Sequence, residues 1–164
     1  MKTKLKFILI LSILATVAKA EASDVVVKSV TGTAEYILPG SSAYQPLKEG
    51  KILSEGSKIR TGRNGLVFVS VIPGVAMRVS GETELTVAQA SSSDQSKVPD
   101  QATIQLNQGA IHALIEKIKQ AQPDFKVETP QGMASARGTF FGVYIEKDGT
   151  YVGVKEGRVK ITPF

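Results

Sequence analysis

Side chains that could do chemistry are sparse in this chain. There is no cysteine and a single histidine, His112, set between Ile111 and Ala113 in an apolar run. Zinc sites need several Cys, His or carboxylate ligands together, and the nearest acid in sequence is Glu116 alone. No acidic stretch has calcium-loop spacing. His112 therefore reads as a histidine on a strand face. Glu82 and Glu84, two residues apart, would share one side of a strand, and paired acids invite a glycosidase reading. With no tryptophan to build a sugar platform, the pair reads better as a solvated strand face. Ser91-Ser92-Ser93 lie in a polar stretch without a positioned base. Thr61-Gly62-Arg63-Asn64-Gly65 lacks the Lys-Ser/Thr ending and following helix of a phosphate loop. The expectation is a protein that is not an enzyme, with no catalytic residue, cofactor or metal ligand. An envelope enzyme using an unrecognised carboxylate site is the competing reading, and Glu82 and Glu84 are where it would be tested.

Arg137-Gly138-Thr139, just before the strand-like Phe140–Glu146, poses a second question. Arginine carries donors and no acceptor, so Arg137 is suited to backbone carbonyls left unpaired at a turn, and the Thr139 hydroxyl can serve the same end. Ala134, Ser135, Ala136 and Gly138 are small enough for backbones to approach closely. The alternative, an anion grip, is thin without a helix N-terminus. The triplet reads as a corner of the fold.

Those residues need elements to hold them. Residues 1–20 are set apart: Lys2, Lys4 and Lys6 precede the apolar run Phe7–Val17, and Ala18-Lys19-Ala20 has the small-x-small pattern of a signal-peptidase site. The run is shorter than the roughly 20 residues a spanning helix needs. A cleaved signal peptide is expected, with cleavage after Ala20 or Ala22, no lipid anchor and no stable membrane span afterwards. That leader holds four of the twenty Lys and Arg and no acid, so the remainder has sixteen basic against fifteen acidic groups. The sequence pI of 9.4 is thus mostly leader, and no concentrated basic face remains for nucleic acid. Residues 21–164 are enough for one domain, exported to the periplasm or secreted and held by packing without disulfides.

Apolar residues recur at period two. Strands are expected at Val25–Val30, Thr33–Leu38, Leu66–Ile72, Val75–Val79 and Glu84–Val87. Others are expected at Ala102–Leu106, Ala110–Ile115, Phe140–Glu146, Thr150–Val154 and Arg158–Thr162. Leu66–Ile72 is apolar on both faces, which suggests a central strand. Turns fall at Pro39-Gly40, Pro73-Gly74, Asp148-Gly149 and Glu156-Gly157, the last two expected to need positive φ. Ala90–Gln101 reads as one exposed loop. Ile111–Gln120 also fits a helix period, with a strand to about Ile115 preferred. Leu106-x-x-Gly109, Val154-x-x-Gly157 and Leu53-x-x-Gly56 echo one another, as solenoid rungs or as reused strand-turn-strand chemistry. The fold expected is all-β: a single domain of short antiparallel strands and hairpins, sandwich-like or solenoid-like.

Several stretches together carry a family resemblance. They are Val30-Thr31-Gly32-Thr33-Ala34, Tyr44–Gly50, Leu53–Gly62, Leu106–Ala110, Val127-Glu128-Thr129-Pro130, Arg137-Gly138-Thr139-Phe140-Phe141 and Val154-Lys155-Glu156-Gly157. In this spacing, with Thr129, Pro130, Arg137, Gly138, Thr139 and Gly157 as the structural motif, the chain resembles the FecR-type periplasmic domain family. Three positions depart from it: Tyr44 where tryptophan is usual, Lys51 where an acid is common, and Phe140 where a polar or acidic residue is usual. The resemblance implies an all-β periplasmic module of transmembrane regulators in iron-uptake signalling. The expected cytoplasmic sigma-factor-binding region and membrane helix have no counterpart before Phe7, so the binding module is what transfers.

The resulting expectation is an exported module that recognises another envelope macromolecule, a protein rather than a glycan, through sheet edges or the loop at 90–101. A split signalling component is the alternative. Because neighbouring strand residues face opposite ways, Phe140 and Phe141 cannot both enter one core, and Phe140 is the candidate interface residue. No feature of the sequence sets an oligomeric state.

Overall fold

A computed structural model describes residues 21–22, 24–92, 99–119 and 122–164. The expected leader and residues 93–98, the centre of the expected loop, lie outside them. Fifteen strands and no helix make up the described chain. They are β1 (Glu21–Ala22), β2 (Val25–Thr31), β3 (Ala34–Ile37), β4 (Gln45–Pro46), β5 (Ile52–Leu53), β6 (Lys58–Thr61), β7 (Leu66–Ile72) and β8 (Val75–Val79). There follow β9 (Glu84–Ser92), β10 (Gln101–Ile115), β11 (Asp124–Thr129), β12 (Gly132–Ala136), β13 (Phe140–Glu146), β14 (Gly149–Glu156) and β15 (Val159–Pro163). The all-β expectation holds.

The strands form two ladders that share β10. Its first half, Gln101–Gln108, lies between β9 and β11 in the order β4-β3-β6-β9-β10-β11-β12-β15, with β1 also on β9. Its second half, Gly109–Ile115, lies between β8 and β13 in the order β5-β2-β7-β8-β10-β13-β14. Only the β10–β11 pair is parallel among the described ladders. A solenoid of parallel rungs is therefore not formed; the antiparallel ladders curl into a half-barrel. The three echoing glycines, Gly56, Gly109 and Gly157, do share positive φ, but they serve two turns and one bend.

Alternation explains the core. Val67, Val69 and Val71 of β7, Val75, Met77 and Val79 of β8, and Ile111, Ala113 and Ile115 of β10 all point inward. From the other ladder come Leu85, Val87, Ile104, Leu106, Phe125 and Val127. Phe125 meets Phe141 edge-to-face, with ring centroids 6.2 Å apart, an arrangement that aromatic pairs favour.

Gly109 permits the bend that lets one strand serve both ladders. Its φ is +83°, and a Cβ there would lie 2.6 Å from both Glu82 O and Thr83 Cα. The buried Thr83 hydroxyl occupies the inside of the bend, accepting from Ala110 N at 3.0 Å. Thr83 N in turn donates to Thr61 Oγ1 at 3.0 Å, and Thr61 Oγ1 donates to Ser80 O at 2.6 Å. Side-chain hydroxyls thus satisfy backbone groups where the ladders part, as buried polar groups require.

Several expectations change. Asn107-Gln108-Gly109 does not separate two strands, because the pairing continues on the other ladder. β9 runs to Ser92 with Ala90 fully buried, and β10 starts at Gln101, so Ala90–Gln101 is not wholly an exposed loop. β7 is central in its ladder, but its outer face is open: Phe68 is 43% exposed. Gly149 does not have the positive φ expected of it, whereas Gly157 does. β11 and β12 were not anticipated, nor were the short strands β1, β4, β5 and β6. Gly109→Ala should lower unfolding stability by about 2–4 kcal/mol in urea titration, through left-handed strain and backbone clash. Gly149→Ala, with nothing within 4 Å of an added Cβ, should change it by less than about 1 kcal/mol.

Candidate functional site

The corner at Arg137-Gly138-Thr139 joins the two ladders between β12 and β13. Thr139 is buried, and its hydroxyl lies 2.9 Å from Arg137 O and 3.1 Å from Arg158 O. Its own carbonyl accepts from Ile115 N at 2.9 Å, holding the end of β10. Gly157 packs against it: a Cβ there would stand 2.8 Å from Thr139 Oγ1. Arg137 behaves differently from the expectation. Among the described residues its side chain reaches no backbone carbonyl; it is 64% exposed, with Nε 3.7 Å from Asp124 Oδ1. Thr129 and Pro130 close the β11–β12 hairpin, where Thr129 Oγ1 donates to Gly132 O at 3.0 Å.

The polar candidates do not converge. Glu82 is in a turn rather than on a strand, with φ +54°, and its carboxylate is 3.6 Å from Arg63 Nε. Glu84 begins β9 opposite Arg60. The glycine-rich Thr61–Gly65 segment uses its backbone on its own fold: Gly62 N donates to Thr33 O at 2.9 Å and Gly65 N to Gly62 O at 2.9 Å. Tyr44 and Lys51, two of the departures from the family pattern, make cation–π contacts. Arg60 stacks 3.8 Å from the Tyr44 ring and Lys51 lies 4.6 Å from the Tyr36 ring.

Two surfaces stand out instead. The first is the outer face of the β7-β8-β10-β13 ladder. Phe141 enters the core at 1% exposure, while Phe140 faces outward, half-buried, with Lys155 Nζ 5.3 Å from its ring. Phe68 and the 51% exposed Leu114 share that face. His112 lies among them, bonded on both sides by residues that sequence reasoning did not connect to it. Arg78 Nη2 lies against the His112 ring, 3.0 Å from Nδ1 and 3.4 Å from Nε2. Tyr144 Oη is 2.7 Å from Nε2 on the other side. Tyr144 lies over Gly142, where an added Cβ would sit 2.7 Å from its hydroxyl. Burial, and then the charge of Arg78, hold His112 below its ordinary pKa of 6.5.

The second surface is an open edge. β14 ends one ladder and β15 ends the other, each paired on one side only among the described strands. Between them lies a groove of about 240 Å³ lined by Met133, Ala134, Val143, Val152, Ile161 and Pro163, among others. One end is pinned by the Thr139 hydroxyl near Arg158 O. The other is pinned by the Thr150 hydroxyl, which donates to Gln131 Oε1. Ile161 is 58% exposed and Val154 46%.

Three measurements check this geometry. Phe141→Ala should cost about 3–5 kcal/mol in urea titration, whereas Phe140→Glu should cost less than about 1 kcal/mol. A loss for Phe140→Glu equal to that of Phe141→Ala would place Phe140 in the core. The lowered pKa means that the folded state binds the His112 proton less readily than the unfolded state. Its contribution to stability is complete above 6.5 and is lost as pH falls below 6.5 toward the folded value. Wild-type protein should therefore lose more thermal stability than His112→Gln between about pH 7.5 and about pH 5.5.

Among the described residues no helix is long and apolar enough to cross a membrane. Comparison with curated proteins and with solved structures gives no match. In the comparison with family models, the model described as FecR protein matches residues 57–160. That span runs from just before β6 into β15 and includes the outer face around His112, the bend at Gly109, the Thr139 corner and the β14 side of the open edge. The chain belongs to the FecR protein family.

Proposed function

We propose that this chain is an exported, non-enzymatic FecR-type binding module that accepts a strand from another cell-envelope protein along the open edge formed by β14 and β15. The observation that carries this reading is the pair of unpaired edge strands flanking an apolar groove. An edge strand offers backbone donors and acceptors to an added strand, and alternate side chains select the partner. Val152 and Ile161 line the groove, where a partner's apolar side chains would be buried. Lys155, Arg158 and Lys160 border the edge; like charges oppose pairing between two copies and favour an acidic strand. Export rests on the basic, apolar and small-residue pattern of residues 1–20.

Family membership favours a second reading on the same surface. In it the chain is the envelope half of a split cell-surface signalling system for iron uptake, its cytoplasmic half being another chain. Neighbouring genes for a sigma factor and an outer-membrane receptor would support that assignment.

Affinity capture from an envelope fraction, using residues 21–164, tests the binding reading. Wild type and Phe140→Glu should recover the same specific protein, and Ile161→Lys, at an exposed position, should lose it while keeping its melting temperature. Capture that survives Ile161→Lys would move binding off the edge, and the absence of any specific protein would overturn the reading.

A further inference from the structure

The outer face around His112 has a polarity that the open edge does not explain. Across β7, β8, β10 and β13 its outward positions form two rows, Phe68–Arg78–His112–Gly142 and Ser70–Ala76–Leu114–Phe140. Arg78 is the one fixed charge in these rows; on the adjoining β14 Lys155 lies over Phe140, and Glu156, opposite Phe140, is paired with Lys117. Among the described residues no ion pair includes Arg78. Its Nε is buried without a hydrogen-bond partner, while Nη2 is taken by His112. A partly buried guanidinium lacking a counter-charge is costly, and a carboxylate is the group that matches its fork of donors.

Beside Arg78 and His112 the surface is apolar. Phe68, Ala76, Leu114 and Phe140 border an open groove of about 290 Å³. Phe68 and Phe140 stand three inter-strand steps apart, about 14 Å across the strands, and one row apart along them. That is a length for an extended hydrocarbon body lying across the strands.

We propose that this face binds a small amphipathic carboxylate, its charged end at Arg78 and its apolar body across Ala76 and Leu114 between Phe68 and Phe140. Charge complementarity selects the occupant: the face offers unpaired cations, Arg78 within it and Lys155 beside Phe140, next to apolar surface, so it favours an acid with a hydrocarbon body over a neutral or cationic ligand. This site lies apart from the groove between β14 and β15, so it can fail while strand capture stands, or stand while strand capture fails.

The protein carries its own reporter. His112 is the single histidine, so its imidazole C–H signals in proton NMR of tag-free protein need no further assignment. Titration with decanoate should shift them saturably at constant pH. Decanol, which has the same chain without the charge, should bind at least about tenfold more weakly. Arg78→Met, which keeps an unbranched stem, should weaken decanoate by about 10- to 100-fold. Phe140→Ser should weaken both probes, and Ile161→Lys neither. Equal affinity for decanoate and decanol, no saturable shift below the concentration at which decanoate self-associates, or undiminished binding by folded Arg78→Met would each overturn the proposal. The decanoate–decanol comparison uses wild-type protein and decides the matter even if Arg78→Met does not fold.

Discussion

The fold depends on one strand changing ladders. At Gly109 the backbone of β10 adopts a conformation that a side chain would obstruct, and the Thr83 hydroxyl fills the inside of the bend. Backbone groups freed where two ladders diverge must find partners or lose the free energy of a hydrogen bond. The chain from Ala110 N to Thr83, and from Thr83 N to Thr61, provides those partners. A straight β10 would extend one flat sheet and leave Ile111 and Ile104 without a common core.

The two surfaces follow from that bend. Curling the ladders over Phe125 and Phe141 turns one set of alternate side chains inward and leaves the other set outside. Phe68, Arg78, His112 and Phe140 therefore come together from four strands, although they span residues 68 to 140 of the chain. The curl also ends before the half-barrel closes, so β14 and β15 remain as neighbouring edges. The corner at Thr139 is the hinge point common to both. Its hydroxyl reaches Arg158, its carbonyl holds Ile115, and Phe140 begins on its outer side.

Much of this was legible in the sequence where the signal was local. Leu66–Ile72 and Val75–Val79 were read to the residue, because Pro73-Gly74 marks the turn and alternation marks the strands. The opposite facing of Phe140 and Phe141 follows from the two-residue period. β12 was missed because Gly132-Met133-Ala134-Ser135-Ala136 has little intrinsic strand preference; pairing with β11 and β15 makes it a strand. β11 had the alternation of Phe125, Val127 and Thr129 but was read only for its Thr129-Pro130 motif. Arg137 was expected on backbone carbonyls because of its chemistry, yet Asp124 lies near enough to draw it outward.

By itself the sequence determined the all-β class, most strand positions, the scarcity of catalytic groups and the family pattern. Each of these is written in neighbouring residues: period two, turn pairs, composition and motif spacing. Tertiary structure decided which strands pair, that β10 serves both ladders, and that His112 lies between Arg78 and Tyr144. It also decided that β14 and β15 stay open. The physical reason is that side-chain period tells which way a residue faces within its own strand. Which residues share that face depends on inter-strand register, and here register is set by contacts between residues distant in the chain.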